Sequence, residues 1–164
     1  MKAGTYLRRI AIALLCTLLV ALTLVMGWQL AHEPDSERTA VPVTDPDAQL
    51  RRGEYLARAG NCAACHTARG GEPYAGGRAI PTPFGDVYAS NLTPDRKTGL
   101  GDWSADDFWR ALHNGKARDG SFLYPAFPYP NFTKVTREDA DALYAYLRSI
   151  PAVEQANREH TLRF

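Results

Sequence analysis

Cys62, Cys65 and His66 form the pentapeptide C-x-x-C-H, whose residue types and spacing could do redox chemistry. Two thiols at this spacing lie on one short turn, so both sulfurs can add to the vinyl groups of a single porphyrin. The adjacent neutral imidazole can then bind the porphyrin iron. The motif therefore predicts one covalent haem c, attached through Cys62 and Cys65, with His66 as its proximal iron ligand.

A zinc site or a dithiol redox pair could use the same two cysteines. A four-ligand zinc site needs two further Cys or His at paired spacing, and the sequence has neither a second C-x-x-C nor an H-x-x-x-H. Cys16, the remaining cysteine, lies in an apolar run. A thioredoxin-like pair belongs to a βαβ context, which is absent from the sequence. The pattern favours haem attachment.

The composition and net charge of the chain limit the classes of function that it can have. Of the 164 residues, 45% are hydrophobic and 23% charged, which are ordinary globular proportions. From Ala31 onward, 16 basic and 18 acidic residues give a net charge of −2. Nucleic-acid binding needs a basic stripe, so we expect no nucleic-acid partner. The sequence also shows no nucleophile, general base or substrate pocket, so we expect an electron-transfer protein and not an enzyme.

Residues 10–30 contain 21 consecutive residues without a charge. As a helix they would extend about 30 Å, enough to cross a bilayer. Basic residues at positions 2, 8 and 9 predict that residues 1–9 are cytoplasmic and that the remainder lies outside. A cleaved signal peptide is the alternative, but Gln29-Leu30-Ala31 is a poor cleavage site. We expect an uncleaved single-pass anchor in the inner membrane, with the haem-binding part in the periplasm.

Residues typical of linkers and of helix ends mark the boundaries of the elements in the rest of the chain. Residues 31–46 are rich in proline and acidic residues and are predicted to be a linker. Helices are predicted over 47–59, with Asp47 as the cap, over 104–114 and over 136–150. Ser104 and Thr136 each precede an aspartate by three positions, which is a capping pattern. Gly53, inside the first of these helices, could allow another helix to approach closely.

Residues 67–101 form a long segment rich in glycine and proline, without a convincing helix. Ordinary loops are much shorter. The segment keeps enough apolar side chains to pack, among them Tyr74, Phe84 and Leu92. We expect a loop that wraps a flat cofactor.

The order of these elements resembles a class I cytochrome c domain over residues 47–153. Local phrases strengthen the resemblance, namely P-T-P-F-G at 81–85, S-N-L-T-P-D at 90–95, G-D-W-S at 101–104 and L-Y-P-A-F-P-Y at 123–129. Together they resemble the first haem domain of the cytochrome c subunits of bacterial membrane-bound alcohol, gluconate and aldehyde dehydrogenases. The expected fold is mainly α, with three main helices and long loops around one haem, and an N-terminal transmembrane helix.

The resemblance also implies partners and further cofactor contacts. Such subunits pass electrons from a flavin, quinoprotein or molybdenum dehydrogenase subunit toward a quinone or a terminal oxidase of the respiratory chain. Pro81 and Phe127 are expected beside the haem. Residues 154–164 look like a C-terminal tail, or like the linker to a second domain of a longer subunit.

Phe127 stands where the resembled domains carry the methionine that is the sixth iron ligand. The chain has two methionines, Met1 and Met26, both in or before the apolar run. The iron is therefore expected to be five-coordinate, or to take its sixth ligand from a partner or from another side chain, for which the candidates are His113, Lys116, Tyr124, Tyr129, Lys134 and His160. His113 has the best donor chemistry, but its sequence context favours a partly exposed helix residue over an iron ligand.

Two other functions remain open. An open haem face could bind NO, CO or peroxide, although a peroxidase needs a distal acid or base and the Phe127 loop contains no histidine. The domain could also be a structural remnant whose haem no longer turns over. Electron transfer is the function that the motif and the resemblance favour.

Overall fold

The computed structural model describes residues 2–31, 44–126 and 128–163. The chain forms two compact units, residues 1–37 and 38–164. The first contains helix α1 (Lys2–Ala31). Within it, Tyr6–Gln29 is long and apolar enough to cross a membrane. A signal sequence near the N-terminus passes the same test, so α1 agrees with both alternatives. Most of the predicted linker, residues 32–43, lies outside the described residues.

The second unit combines helices with one small sheet. Its elements in chain order are α2 (Pro46–Ala59), α3 (Cys62–His66), β1 (Ala79–Thr82), β2 (Gly85–Tyr88), α4 (Ala105–Asn114), α5 (Tyr129–Phe132), α6 (Arg137–Ser149) and β3 (Thr161–Leu162). The three longest of these helices, α2, α4 and α6, lie where the sequence places helices. The short helices α3 and α5 were not predicted.

Helix α2 begins slightly earlier than the sequence suggests. Asp45, not Asp47, is the N-cap, and its carboxylate accepts a hydrogen bond from the Ala48 N–H at 3.0 Å. Pro46 fits the first helical position because it lacks an N–H that would need a partner. Asp47 lies in the first turn, where its charge complements the helix dipole.

Helices α4 and α6 carry the predicted caps. Ser104 and Asp107 form a reciprocal capping box, and Gly115 ends α4 in the left-handed conformation with φ 62°. The Thr136 side chain accepts a hydrogen bond from the Asp139 N–H at the start of α6. Both caps satisfy amides that have no partner inside the helix.

Close packing of α2 against α6 forms the centre of the unit. A β-carbon at Gly53 would lie 2.0 Å from the carbonyl oxygen of Ala142, so only glycine allows this approach. The apolar core extends from this contact onto α4 and the loops. Its buried members are Ala57, Tyr74, Leu100, Phe108, Trp109, Leu112, Ala140, Leu143 and Leu147.

The long glycine- and proline-rich segment contains a hairpin that the sequence did not reveal. Strands β1 and β2 pair antiparallel, with Ala79 opposite Tyr88 and Thr82 opposite Gly85. Two prolines in and beside β1 conceal a strand from sequence patterns. The hairpin is completed by a segment distant in sequence, since β3 pairs with β2 to give the order β1-β2-β3.

Residues after 153, expected to be a tail, belong to the same compact unit. The strand β3 adds to the hairpin, and the Asn157 side chain is hydrogen-bonded to the backbone of Asn91 and Thr98. The segment therefore packs against the loop that follows the hairpin.

Candidate haem site

Helix α3 carries both cysteines of C-x-x-C-H on a single short turn. It follows Asn61, which has the left-handed conformation with φ 54°, a conformation that asparagine tolerates better than most residues. Cys65 is exposed, Cys62 is partly buried, and both are free thiols. Burial raises the pKa of the Cys62 thiol. The Cys62 sulfur is thus a protonated thiol at neutral pH, and it shares one turn with the second thiol, as thioether formation requires.

His66, at the end of α3, has a defined tautomer. Its Nδ1 atom lies 2.7 Å from the carbonyl oxygen of Ser90. A carbonyl oxygen can only accept, so Nδ1 carries the proton and Nε2 keeps its lone pair. Burial lowers the pKa of His66, although the Ser90 contact opposes this. The histidine is therefore neutral at pH 7, and its donor set fits iron coordination through Nε2.

Gly76 packs directly on the Ser90–Asn91 peptide, whose carbonyl oxygen orients His66. Its N–H donates to the His66 carbonyl oxygen at 2.8 Å. A β-carbon at Gly76 would lie 2.6 Å from the Ser90 carbonyl carbon and 2.7 Å from the Asn91 nitrogen. With φ 78°, Gly76 also has a conformation that other residues rarely adopt. Glycine is thus required at position 76, where the loop passes close to the Ser90–Asn91 peptide.

A buried amide holds this loop against the C-terminal segment. Asn91 is 2% exposed. Its Nδ2 donates to the Val153 carbonyl at 2.8 Å and to the Thr98 hydroxyl at 3.0 Å. Its Oδ1 accepts from the Thr93 N–H at 2.9 Å and from the Thr93 hydroxyl at 2.7 Å. All the polar atoms of this side chain are paired, as burial demands.

The loop before α4 is fixed by two side chains of α6. The Tyr144 hydroxyl donates to the Trp103 carbonyl, and Arg148 donates to the Leu100 and Gly101 carbonyls. Leu100 is buried in the core cluster, and Trp103 packs against that cluster. Cys62, Ala63, Leu92 and Phe132 also pack there, so α3 and this loop border one apolar region.

Two of the predicted cofactor contacts stay predictions. Phe127 lies outside the described residues. Pro81 is exposed in β1, opposite Asp86 of β2.

The two histidines among the candidate sixth ligands are engaged in other contacts. His113 stacks on Trp109 with ring centroids 3.3 Å apart, and burial lowers its pKa. His160 accepts a hydrogen bond from the Tyr88 N–H through Nδ1 at 3.2 Å, and its ring packs edge-on against Tyr124. These contacts favour a packing role for both histidines.

Three arginines border the outer side of α3. Arg69, Arg78 and Arg158 line a cleft together with Ala63 of α3 and Tyr88 of β2. The Arg158 guanidinium lies 4.1 Å from the centroid of the Tyr88 ring, a cation–π contact. The cleft gives this side of the site a positive character.

Sequence reasoning missed the residues that orient His66. Ser90, Asn91 and Asn157 lie between 24 and 91 positions from His66. Ser90 and Asn91 act through backbone groups, for which a sequence carries no signal, and the Asn157 side chain acts from a segment that only the fold brings close. The phrase S-N-L-T-P-D drew attention to two of them, but only as part of a resemblance.

Two thiols on one turn and a histidine with a free Nε2, set in a unit of helices and one small sheet, are the features of a c-type haem protein. Comparison with known families makes this specific. Residues 50–151 match the family described as Cytochrome c, and the chain belongs to that family. Cytochromes c transfer electrons, so the protein is an electron-transfer protein.

Relatives refine the resemblance. The chain is 53% identical over 114 residues to the gluconate 2-dehydrogenase cytochrome c subunit of Pantoea cypripedii, covering 69% of this chain and 26% of that protein. It is 49% identical over 129 residues to a nicotinate dehydrogenase subunit of Pseudomonas putida, covering 75% and 11%. It is 41% identical over 140 residues to the cytochrome c subunit of the quinone alcohol dehydrogenase of Gluconacetobacter polyoxogenes, covering 85% and 28%.

These comparisons confirm the predicted resemblance to the cytochrome c subunits of dehydrogenases. The chain spans roughly a quarter of the length of the gluconate and alcohol dehydrogenase subunits that it matches. The matched region thus corresponds to part of each relative.

Proposed function

We propose that this chain is the haem-bearing electron-transfer module of a membrane-anchored dehydrogenase complex, with one haem c bound through Cys62, Cys65 and His66. The observation that carries the proposal is the His66 contact with Ser90, because it leaves Nε2 free on the residue that follows both thiols. If the C-x-x-C-H pattern had arisen by chance, there would be no reason for its histidine to be held in this tautomer.

Each residue has a separate task. Cys62 and Cys65 would hold the porphyrin edge by thioether bonds, His66 would bind the iron through its Nε2 lone pair, and Ser90 keeps the imidazole oriented. The bound haem supplies a one-electron iron couple. The core residues that pack beside Cys62 and Ala63 would limit the exposure of the haem to water, which is one of the factors that set its reduction potential.

Haem attachment is tested by substituting the thiols. The Cys62→Ala, Cys65→Ala double variant and the Cys16→Ala control are exported to the periplasm with a haem-attachment system and analysed by pyridine haemochrome and haem-stained gels. The double variant is expected to carry no covalent haem, and Cys16→Ala is expected to carry the full amount. Covalent haem retained in the double variant would refute the assignment.

The electron donor is proposed to be a dehydrogenase subunit containing flavin, a quinone cofactor or molybdenum, and the acceptor a quinone or oxidase of the respiratory chain. Support comes from the relatives, which are named as subunits of gluconate, alcohol and nicotinate dehydrogenases. Their different substrates leave the substrate of this complex to experiment.

Substrate-dependent haem reduction identifies the donor. Membranes from source cells are mixed with gluconate, ethanol, nicotinate or fructose, and the haem absorption spectrum is recorded. The same membranes from cells lacking this chain serve as the control. We expect one substrate class to reduce a haem component that the control lacks. Equal spectra in both membranes, with every substrate, would refute the proposed role.

A second function, gas binding at an open haem face, is favoured by one observation. In the sequence, Phe127 stands where the resembled domains carry the axial methionine, and no methionine follows Met26. A phenyl ring cannot donate to iron, so a vacant site would bind CO or NO.

A further inference from the structure

The peptide unit between Ser90 and Asn91 is hydrogen-bonded at both of its ends. Its carbonyl oxygen accepts the Nδ1–H of His66 at 2.7 Å. Its N–H donates to the Oδ1 atom of Asn157 at 2.8 Å. His66 and Asn157, 91 positions apart in the sequence, are thus joined through a single peptide plane.

The orientation of the Asn157 amide is fixed by its two partners. Oδ1 accepts from the Asn91 N–H, and Nδ2 donates to the Thr98 carbonyl oxygen at 3.0 Å. A flipped amide would place a donor against the Asn91 N–H and an acceptor against a carbonyl oxygen. Asn157 therefore presents an acceptor to the peptide unit, and no other orientation satisfies both contacts.

We propose that Asn157 is a positioning residue that sets the electron donation of His66 to the haem iron through the Ser90–Asn91 peptide unit. The inference rests on the proposed role of His66 as the proximal ligand. It gives the C-terminal segment, which the sequence presents as a tail, a direct part in the redox chemistry of the site.

The physical basis is polarisation along a hydrogen-bonded chain. An acceptor on the peptide N–H draws electron density toward the carbonyl oxygen, so that oxygen becomes a stronger acceptor for the His66 Nδ1–H. A stronger bond at Nδ1 makes Nε2 more basic. A more basic ligand stabilises ferric over ferrous iron, so Asn157 lowers the reduction potential of the haem.

Two substitutions of Asn157 separate polarisation from simple loosening of the loop. Asn157→Leu keeps the approximate shape but removes the acceptor, so the potential should rise. Asn157→Asp keeps an acceptor and gives it a negative charge, so the potential should fall. Both variants lose the hydrogen bond to Thr98, so loosening alone would move both potentials in the same direction. Asn157 is exposed, so both variants should fold.

Gln155 provides the matched control for the added charge. It lies two positions away in the same segment, and its side chain lies beside Gly77. In the described part of the chain, that side chain makes no hydrogen bond to the Ser90–Asn91 peptide unit. Gln155→Glu introduces the same amide-to-acid change without the contact. A fall of the haem reduction potential in Gln155→Glu measures the through-space effect of the added charge. This fall is subtracted from the fall measured in Asn157→Asp.

Potentials are measured by redox titration of the haem-loaded full chain, after covalent haem has been verified for each variant. We expect a two- to tenfold change in the ratio of oxidised to reduced protein at fixed potential, in opposite directions for the two Asn157 variants. Tenfold corresponds to about 59 mV for one electron. The ¹⁵N shift of His66 Nδ1 in the reduced protein should move in opposite directions as well.

Potentials that shift alike in both variants, or a Gln155→Glu effect equal to that of Asn157→Asp, would overturn the inference. Either result leaves the proposed function intact, provided that the variants carry covalent haem. A wild-type chain without covalent haem would instead refute the proposed function itself.

Discussion

The Nδ1 atom of His66 lies 2.7 Å from the carbonyl oxygen of Ser90, which is 24 positions further along the chain. The intervening residues form a glycine-rich turn and the β1–β2 hairpin. They return the chain to the histidine at the point where Gly76 packs on the Ser90–Asn91 peptide. The orientation of the candidate iron ligand therefore depends on the folding of this whole segment.

Replacing Gly76 should displace the Ser90–Asn91 peptide and, with it, the His66 side chain. An alanine there must adopt φ 78° and place its β-carbon 2.6 Å from the Ser90 carbonyl carbon. Strain costs about 1–2 kcal/mol, and overpacking a further 1–3 kcal/mol. We expect Gly76→Ala to lower the free energy of unfolding of the haem-loaded protein by roughly 2–5 kcal/mol, measured by denaturant titration.

Gly70 is the matched control for this substitution. It has φ 73°, but its β-carbon would meet nothing within 4 Å. Gly70→Ala therefore carries the conformational cost without the clash. Equal losses of stability for the two variants would show that Gly76 is needed only for its backbone conformation.

Gly53→Ala should separate α2 from α6. The added methyl group would meet the Ala142 carbonyl oxygen at 2.0 Å, and backbone cannot yield as a flexible side chain can. Alanine favours a helix by about 1 kcal/mol over glycine, but overpacking costs about 1–3 kcal/mol. We expect a net loss of stability on thermal unfolding. Gly27→Ala, in open space on α1, should cause no loss.

Acid should weaken the start of α4. Burial alone would raise the pKa of Asp107, but hydrogen bonds from Ser104 and Arg110 outweigh it and hold the pKa below its ordinary value. A depressed carboxyl pKa contributes stability above about pH 4, and this contribution is lost as the pH falls through the folded-state pKa.

Asp107→Asn should therefore lower the free energy of unfolding by about 1 kcal/mol at pH 7. The difference from wild type should shrink as the pH falls below about 4. Urea titrations of the haem-loaded protein from neutral to acid pH measure it. Asp47→Asn, in the first turn of α2, controls for the loss of a helix-terminal charge. A difference independent of pH would contradict the assignment.

The iron should lack methionine coordination. Phe127 replaces the expected ligand, and the second unit contains no methionine in its sequence. We expect the red charge-transfer band of methionine-ligated haem to be missing. If the face is open, the reduced protein should bind CO, and Phe127→Met should suppress that binding and raise the potential. A methionine-type spectrum in the wild-type chain would show that the loop has been wrongly aligned.

The N-terminal helix should remain on the mature protein. Tyr6–Gln29 has the length and composition of a membrane span, and Gln29-Leu30-Ala31 is a poor cleavage site. N-terminal sequencing of protein extracted from membranes should begin before Tyr6. A periplasmic chain that begins near Ala31 would instead identify a signal peptide.

The sequence by itself determined which residues form the candidate haem site and where the main helices lie. C-x-x-C-H is a local motif, because its two thiols and its imidazole lie within five residues. The capping residues Ser104 and Thr136 and the stop at Gly115 are local too, so the three longest helices of the second unit lie close to their predicted ranges. The exception, a cap at Asp45 instead of Asp47, is a difference within one turn.

Only the tertiary structure decided what surrounds the histidine. The hairpin was hidden because Pro81 and Pro83 argue against a strand, while its partner β3 lies more than 70 positions further along. Ser90 acts through its backbone carbonyl, a group that every residue has, and Asn157 acts through a side-chain amide that nothing in the sequence links to His66. Their roles arise from contacts between distant segments, which exist only once the chain has folded.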